Sequence, residues 1–375
     1  MNASPAGNPG NPGNPGSPAF AASTDFAPRV NLPFEFRGSG AEYFRIWMVN
    51  LLLTIVTLGI YSAWAKVRRM RYFYGNSLLD GHGFEYHAKP VQILKGRLII
   101  FGAYVVFLLI LQVLPLVGLL FIPLMIFGIP WVIQKARTFQ MRVTSYRNLR
   151  FNFHGDYRGA LSAFIGWYLV AAITFGILFP LWLYKRVSYT LNNAAYGKSE
   201  FRFVTPSGSF FAFCYATALM TVLAYAAFFF VVIRTGFLQA SADPGATPWH
   251  LLNQLGIGGL LGILLIAAAG MGIWGFYQAR FANASFGGIE IGNARVISNV
   301  KAWPLAWIEI TNLLGMVFTL GLFYPWAKVR KVRYQLENTS LETVGGLAEF
   351  QAASGEAGEA LGEELGEFFD VDFGI

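Results

Sequence analysis

Thr57-Leu-Gly-Ile-Tyr-Ser-Ala-Trp-Ala-Lys-Val-Arg-Arg-Met-Arg-Tyr72 decides how the chain is read, because it returns without a gap as Thr319-Leu-Gly-Leu-Phe-Tyr-Pro-Trp-Ala-Lys-Val-Arg-Lys-Val-Arg-Tyr334. The match runs back to Asn50 and Asn312 at the same spacing. A weaker copy pairs Thr57 with Thr174, Gly59 with Gly176, Arg69 with Arg186 and Tyr72 with Tyr189, although Leu181 replaces Trp64 and Trp182 follows it. Recurrence of this kind marks a repeat architecture. The chain reads as two and a half units, each a Thr-x-Gly segment, a basic motif, an apolar helical hairpin and a second basic cluster. The division is 32–158, 159–301 and a partial unit 302–345. A Pro/Gly-rich tail (1–31) precedes them and an acidic tail (346–375) follows.

Around this repeat the composition is that of a membrane protein. The 375 residues are 55% hydrophobic and 17% aromatic, and 13% charged, about half the charge of an ordinary soluble domain. Apolar runs near 20 residues fall at 46–64, 98–114, 116–133, 160–183, 209–233, 252–275 and 304–326, which predicts seven membrane-embedded segments. The fold class expected is an all-α polytopic membrane protein with internal repeats. Charge is unevenly placed: the net +8 divides into a basic body and a tail after Arg333 that has no Lys or Arg. Five basic clusters, Lys66–Arg71, Lys135–Arg158, Lys185–Arg202, Arg280–Lys301 and Lys328–Arg333, separate the apolar runs. Short basic loops stay cytoplasmic. For all five to do so, the Thr-x-Gly segments at 160–183 and 304–326 must dip and return; if they span, the units alternate in orientation as in inverted-repeat transporters.

Phe34-Glu-Phe, Phe84-Glu-Tyr, Phe151-Asn-Phe, Phe201-Arg-Phe and Ile289-Glu-Ile alternate apolar and polar residues, the pattern of half-buried strands. Short strands and amphipathic helices should form a small layer on the cytoplasmic side.

The Thr57–Tyr72 string, its copy at 319–334, the leading Phe34-Glu-Phe-Arg-Gly-Ser-Gly-Ala-Glu-Tyr-Phe44 and the closing Phe368-Phe-Asp-Val-Asp-Phe-Gly-Ile375 resemble the YjgN-like family of bacterial inner-membrane proteins. The resemblance spans about residues 32–375. It implies a multi-pass protein of the cytoplasmic membrane and carries over no catalytic or ligand residue.

The residues themselves nominate two sets of sites. Lys66, Arg68, Arg69, Arg71 and Tyr72, with Lys185, Arg186 and Tyr189 and with Lys328, Arg330, Lys331, Arg333 and Tyr334, combine cations and aromatic rings beside apolar runs. That combination suits anionic lipid headgroups. Asn50, Asn312 and Glu309 are the intramembrane polar candidates. One cysteine, Cys214, and four scattered histidines supply no metal-site pattern, and no cofactor is expected. No catalytic signature or nucleotide-binding loop appears, so no enzyme is expected, and no nucleic-acid motif accompanies the basic charge. The expected partners are membrane lipids, with a protein partner recruited through the acidic tail. The expected function is a transporter- or channel-like protein that binds or moves a small solute or lipid; the alternative is a membrane scaffold.

Overall fold

The computed structural model describes residues 29–242 and 256–346. The Pro/Gly tail, most of the loop after Ser241 and the acidic tail lie outside the described residues.

Short strands organise everything else. In chain order they are β1 (Arg29–Phe36), β2 (Ser77–Leu79), β3 (His82–Tyr86), β4 (Thr144–Tyr146), β5 (Leu149–Phe153), β6 (Ala194–Tyr196), β7 (Ser199–Phe203), β8 (Ile289–Ile291), β9 (Ala294–Ser298) and β10 (Thr339–Val344). Each pairs antiparallel with its neighbours in sequence, and β10 closes on β1, so the sheet is a closed barrel. Two-residue turns lead from β2 to β3 and from β4 to β5. Asp80-Gly81 has φ of 48° and 74°, and Arg147-Asn148 has φ of 47° and 63°, the left-handed pairs that match strand twist in a tight hairpin.

A helical hairpin links the two strands of each pair at the opposite rim. Hairpin 1 is α1 (Gly40–Val56) and α2 (Ser62–Asn76); hairpin 2 is α3 (Pro90–Val113) and α4 (Pro115–Arg142). Hairpin 3 is α5 (Tyr157–Ile173), with a π-helical turn at Ser162–Gly166, and α6 (Phe179–Asn192). Hairpin 4 is α7 (Ser207–Ala242) and α8 (Gly256–Phe286), and hairpin 5 is α9 (Ala302–Phe318) and α10 (Tyr324–Glu337). The chain is therefore built of βααβ units, five among the described residues. The spacings noticed in sequence superpose unit 1 on unit 5 and, weakly, on unit 3. Each unit is closed at its foot by one backbone bond in the same place: Arg37 N–H to Asn76 O at 3.0 Å, His87 to Val143 at 2.7 Å, His154 to Asn193 at 2.8 Å, Val204 to Gly288 at 2.9 Å and Asn299 to Asn338 at 2.8 Å.

The barrel interior is filled. Phe34, Phe84, Phe151 and Phe201, from the odd-numbered strands, line up with ring centroids 6.3, 6.4 and 6.3 Å apart. Tyr146 and Tyr196 complete the core with Leu79, Ile291, Val296 and Leu341. Their hydroxyls are satisfied inside it, Tyr146 donating to Leu79 O at 2.6 Å and Tyr196 to Tyr146 O at 2.9 Å. Buried polar groups need such partners.

This architecture overturns the all-α polytopic expectation. The protein is a closed antiparallel β-barrel crowned by helical hairpins. Among the described residues only α3, over Pro90–Val113, and α7, over Ser207–Val231, are long and apolar enough to cross a membrane. Three of the seven expected segments, 46–64, 160–183 and 304–326, are not single helices. Their chain reverses at Thr57–Tyr61, Thr174–Leu178 and Thr319–Phe323, where a left-handed residue precedes a left-handed glycine. Hydropathy sums across such a reversal and so reports one long apolar run. Of the alternating motifs, four lie in β1, β3, β5 and β7, while Ile289-Glu-Ile is β8; the strand that leads into hairpin 5 is β9, whose Val296-Ile-Ser lacks the aromatic pair.

Candidate functional site

Every return helix (α2, α4, α6, α8 and α10) brings polar or cationic side chains down to the barrel rim. Some of them stitch neighbouring units together. Arg71 on α2 donates through Nε to Tyr86 O at 3.2 Å and through Nη2 to Ala88 O at 3.5 Å, at the end of β3. Its repeat partner Arg333 on α10 donates to Gly38 O at 2.8 Å, just after β1. Gln134 on α4 does the same to Gly155 O at 2.7 Å, and Asn283 on α8 to Val300 O at 2.9 Å. A hydrogen bond from a charged donor contributes about 1.5–3 kcal/mol. Arg71 and Arg333, expected at lipid headgroups, thus serve ring closure. The three tyrosines also turn inward: Tyr72 donates to Ser39 O and Tyr189 to Asp156 O at 2.8 Å each, and Tyr334 to Lys301 O at 3.1 Å. Each clamps the residue that precedes its own hairpin's first helix.

The other cations face one another. Loss of hydration pushes the Lys66 ammonium below the ordinary lysine range, and Arg97 and Arg69 push it further. Lys328 is pushed down by loss of hydration, then by Lys331 and Arg69, with Glu309 opposing. Arg186 is lowered by burial and then by Arg137. Arg69 belongs to hairpin 1 and Lys328 to hairpin 5, Arg137 to hairpin 2 and Arg186 to hairpin 3, so these repulsions run between units around the rim. Glu309 answers one cation: its Oε1 lies 2.6 Å from Lys331 Nζ and accepts from Gln278 Nε2 at 2.9 Å. Lys185 Nζ lies 5.2 Å from the centre of the Trp167 ring, and Arg68, on α2, is exposed. Lys66, Arg186 and Lys328, partly desolvated and within electrostatic reach of further cations, make this collar a candidate anion site.

The hairpin tips carry the second feature. Leu58, Phe175 and Leu320 have φ of 50°, 51° and 50°. The left-handed region costs a residue with a Cβ about 1–2 kcal/mol, and glycine or asparagine fills it more cheaply. These three side chains are 94%, 98% and 95% exposed. In each turn the following glycine, Gly59, Gly176 or Gly321, has φ of 93°, 85° or 90°. A threonine ties each turn: Thr57 Oγ1 accepts from Tyr61 N–H at 2.9 Å, Thr174 from Leu178 at 3.2 Å and Thr319 from Phe323 at 2.9 Å. The repeated Thr-x-Gly is thus a turn that holds one large apolar side chain clear of the protein.

Collar and tips are separated by different depths of helix. From the start of the return helix to its first cation, Ser62 to Lys66 and Tyr324 to Lys328 each span about 6 Å and Phe179 to Lys185 about 9 Å, at 1.5 Å per residue. In the long hairpins, Pro115 to Lys135 spans about 30 Å and Gly256 to Arg280 about 36 Å. The hydrocarbon core of a bilayer is about 30 Å thick.

A family of bacterial proteins of unknown function, DUF898, matches residues 31–368. The chain belongs to DUF898. It is 27% identical over 355 residues to the inner membrane protein YjgN of Salmonella typhimurium, across 82% of this chain and 87% of that one. It is 33% identical over 127 residues to the inner membrane protein YjgN of Escherichia coli K12, across 34% of this chain and 32% of that one. These relatives support an inner-membrane location. No solved structure matches the chain.

The intramembrane candidates of this DUF898 chain lie in the short hairpins. Asn312 is buried in α9, its Nδ2 donating to Ala327 O at 3.2 Å and its Oδ1 accepting from Arg330 Nη1 at 3.0 Å. Asn50 occupies the same place in α1, yet its Oδ1 is buried without a partner. His82 and His87 sit at opposite ends of β3, His82 beside Arg147 at 2.8 Å and His87 2.7 Å from Ser145 Oγ. Sequence reading missed Arg97, Arg137, Gln134, Gln278 and Asn283. All five lie in units 2 and 4, which lack the Trp-Ala-Lys-Val-Arg string, so no repeat alignment pointed to them.

Proposed function

We propose that this protein is a bilayer-inserted, lipid-binding scaffold. Its barrel sits on the cytoplasmic face, its collar grips anionic headgroups, and its hairpins enter the membrane to two depths. Hairpins 2 and 4 cross and return, while hairpins 1, 3 and 5 dip their apolar tips into the near leaflet. The observation that carries this reading is the trio of strained, fully exposed Leu58, Phe175 and Leu320. A backbone conformation unfavourable for such residues, recurring to present an apolar side chain outward, marks a surface built to meet lipid. The collar lies just behind those tips, at headgroup depth, where each cation near an anionic surface contributes about 1 kcal/mol.

The filled barrel supports scaffolding over transport along its axis, since a solute would have to displace the ring of Phe34, Phe84, Phe151 and Phe201. No enzymatic step is part of this reading. In this reading the acidic tail recruits a basic protein partner. Cysteines placed singly at Gly81, Asn148, Lys198 and Asn293, in a Cys214→Ala background, test the orientation. All four should react with an impermeant thiol reagent in inside-out vesicles and none in right-side-out vesicles; labelling of any from outside overturns the reading.

A further inference from the structure

The long hairpin 4 and the tip of hairpin 3 flank an open cleft of about 520 Å³, within the about 300–1,000 Å³ of ligand sites. Phe179, Thr217, Thr221, Ile273, Trp274 and Tyr277 form most of its wall. The threonine hydroxyls are spent inside α7, on Phe213 O at 2.7 Å and Thr217 O at 2.8 Å, so the wall offers the cleft an apolar surface. Tyr215 donates to Ile177 O at 2.6 Å and fixes the tip of hairpin 3 against α7. From Ile266 to Tyr277 the wall runs about 16 Å along α8, an elongated shape.

A cation lies beside this cleft, on the helix that begins at its wall residue Phe179. Phe179, Trp182 and Arg186 share one face of α6. The Trp182 ring lies 5.4 Å from that of Phe179, and the Arg186 guanidinium carbon lies 4.5 Å from the Trp182 ring centre and 5.4 Å from that of Phe164. Arg186 is within electrostatic reach of Tyr277, on the opposite wall, and of Arg137. Its Nε is buried and has no hydrogen-bond partner. Phe164, in the π-helical turn, accepts through its backbone carbonyl from Trp182 Nε1 at 3.3 Å; such turns gather at functional sites. Trp182 is thereby fixed, and with it the platform under Arg186.

The geometry points to a site for one anionic phospholipid, with an acyl chain in the cleft of hairpin 4 and the phosphate at Arg186 and Arg137. Guanidinium groups recognise phosphate oxygens through paired N–H donors, and an unpartnered buried Nε is such a donor waiting for an acceptor. This assignment rests on the bilayer insertion of hairpin 4 proposed above and names the lipid that one part of the collar selects.

The test uses the full chain in nanodiscs containing phosphatidylglycerol or phosphatidylcholine, each with a diazirine in the acyl chain, and maps cross-links by mass spectrometry. Phosphatidylglycerol should label residues 217–225 and 266–277 about five-fold more than phosphatidylcholine, the preference one cation confers near a charged headgroup. Arg186→Gln should remove the preference, and Arg186→Lys, which keeps the charge without the paired donors, should retain only part of it. A Cβ at Gly270 meets no neighbouring atom, so Gly270→Trp should fill the cleft and abolish labelling there by both lipids while the fold stands. Equal labelling by the two lipids, or a preference untouched by Arg186→Gln, overturns the site. Absence of acyl labelling from the outer faces of α3 and α7 would overturn insertion itself, and the site with it.

Discussion

Short and long hairpins grow from the same barrel rim, through the same foot-closing backbone bond, and yet meet their surroundings differently. In hairpins 1, 3 and 5 the return helix has its first cation within about two turns of a strained apolar tip; in hairpins 2 and 4 the return helix runs about a bilayer's thickness before its first cation, although α7 of hairpin 4 carries Arg234 near its far end. They alternate around the ring with two short ones adjacent, hairpins 5 and 1. What differs is helix length, while the first cation of each return helix stays about 9–15 Å from the end of that helix, at 1.5 Å per residue. In the proposed insertion, depth is set by where the apolar run stops relative to the collar.

The comparison breaks most visibly under charge. Val106→Asp, midway along the apolar run 98–114, should cost about 2.5–3.5 kcal/mol in a translocon insertion assay, the value for an acidic residue at the centre of a span. Leu58→Asp at a short tip should cost less than half as much, because a tip in the near leaflet lies close to water. Equal costs would mean that the two hairpin classes reach the same depth.

Within the short class, Asn312 and Asn50 make a smaller contrast. Asn312→Leu leaves the Arg330 guanidinium without its acceptor and should lower thermal stability in detergent by about 1–3 kcal/mol. Asn50→Leu removes an amide oxygen that already lacks a partner and should be neutral or stabilising. Smallest is the clamp. Tyr72→Phe, Tyr189→Phe and Tyr334→Phe should each cost about 1 kcal/mol by the same melting measurement, giving the short hairpins what hairpin 2 already has in Phe139 at that position.

The sequence displayed the short class better than the long one, for physical reasons. A tip turn and a clamp demand particular residues, so Thr57, Gly59 and Tyr72 recur as Thr174, Gly176 and Tyr189 and as Thr319, Gly321 and Tyr334. A long apolar helix demands only apolar character, and units 2 and 4 share no string with the others. The strands were half legible: Phe84-Glu-Tyr shows its alternation, whereas β2, β4, β6 and β8 have three residues each, too few to display a period. Barrel closure depends on the β10 to β1 pairing of residues far apart in sequence, such as Leu32 and Leu341, which no local pattern encodes. At the site, the cations were legible as residue types, but their division of labour was not. Arg71 and Arg69 are two residues apart on one helix; one is bonded to the next unit's backbone, and the other lies among the collar's cations.

Depth at the tips tests the central claim most directly. Single cysteines at Leu58, Phe175, Leu320 and Leu116, the last near the tip of hairpin 2, would be introduced in a Cys214→Ala background and exposed in intact cells to an impermeant thiol reagent from the periplasmic side. The account predicts labelling at position 116 and none at 58, 175 or 320. Labelling of any short tip from the periplasm would contradict it.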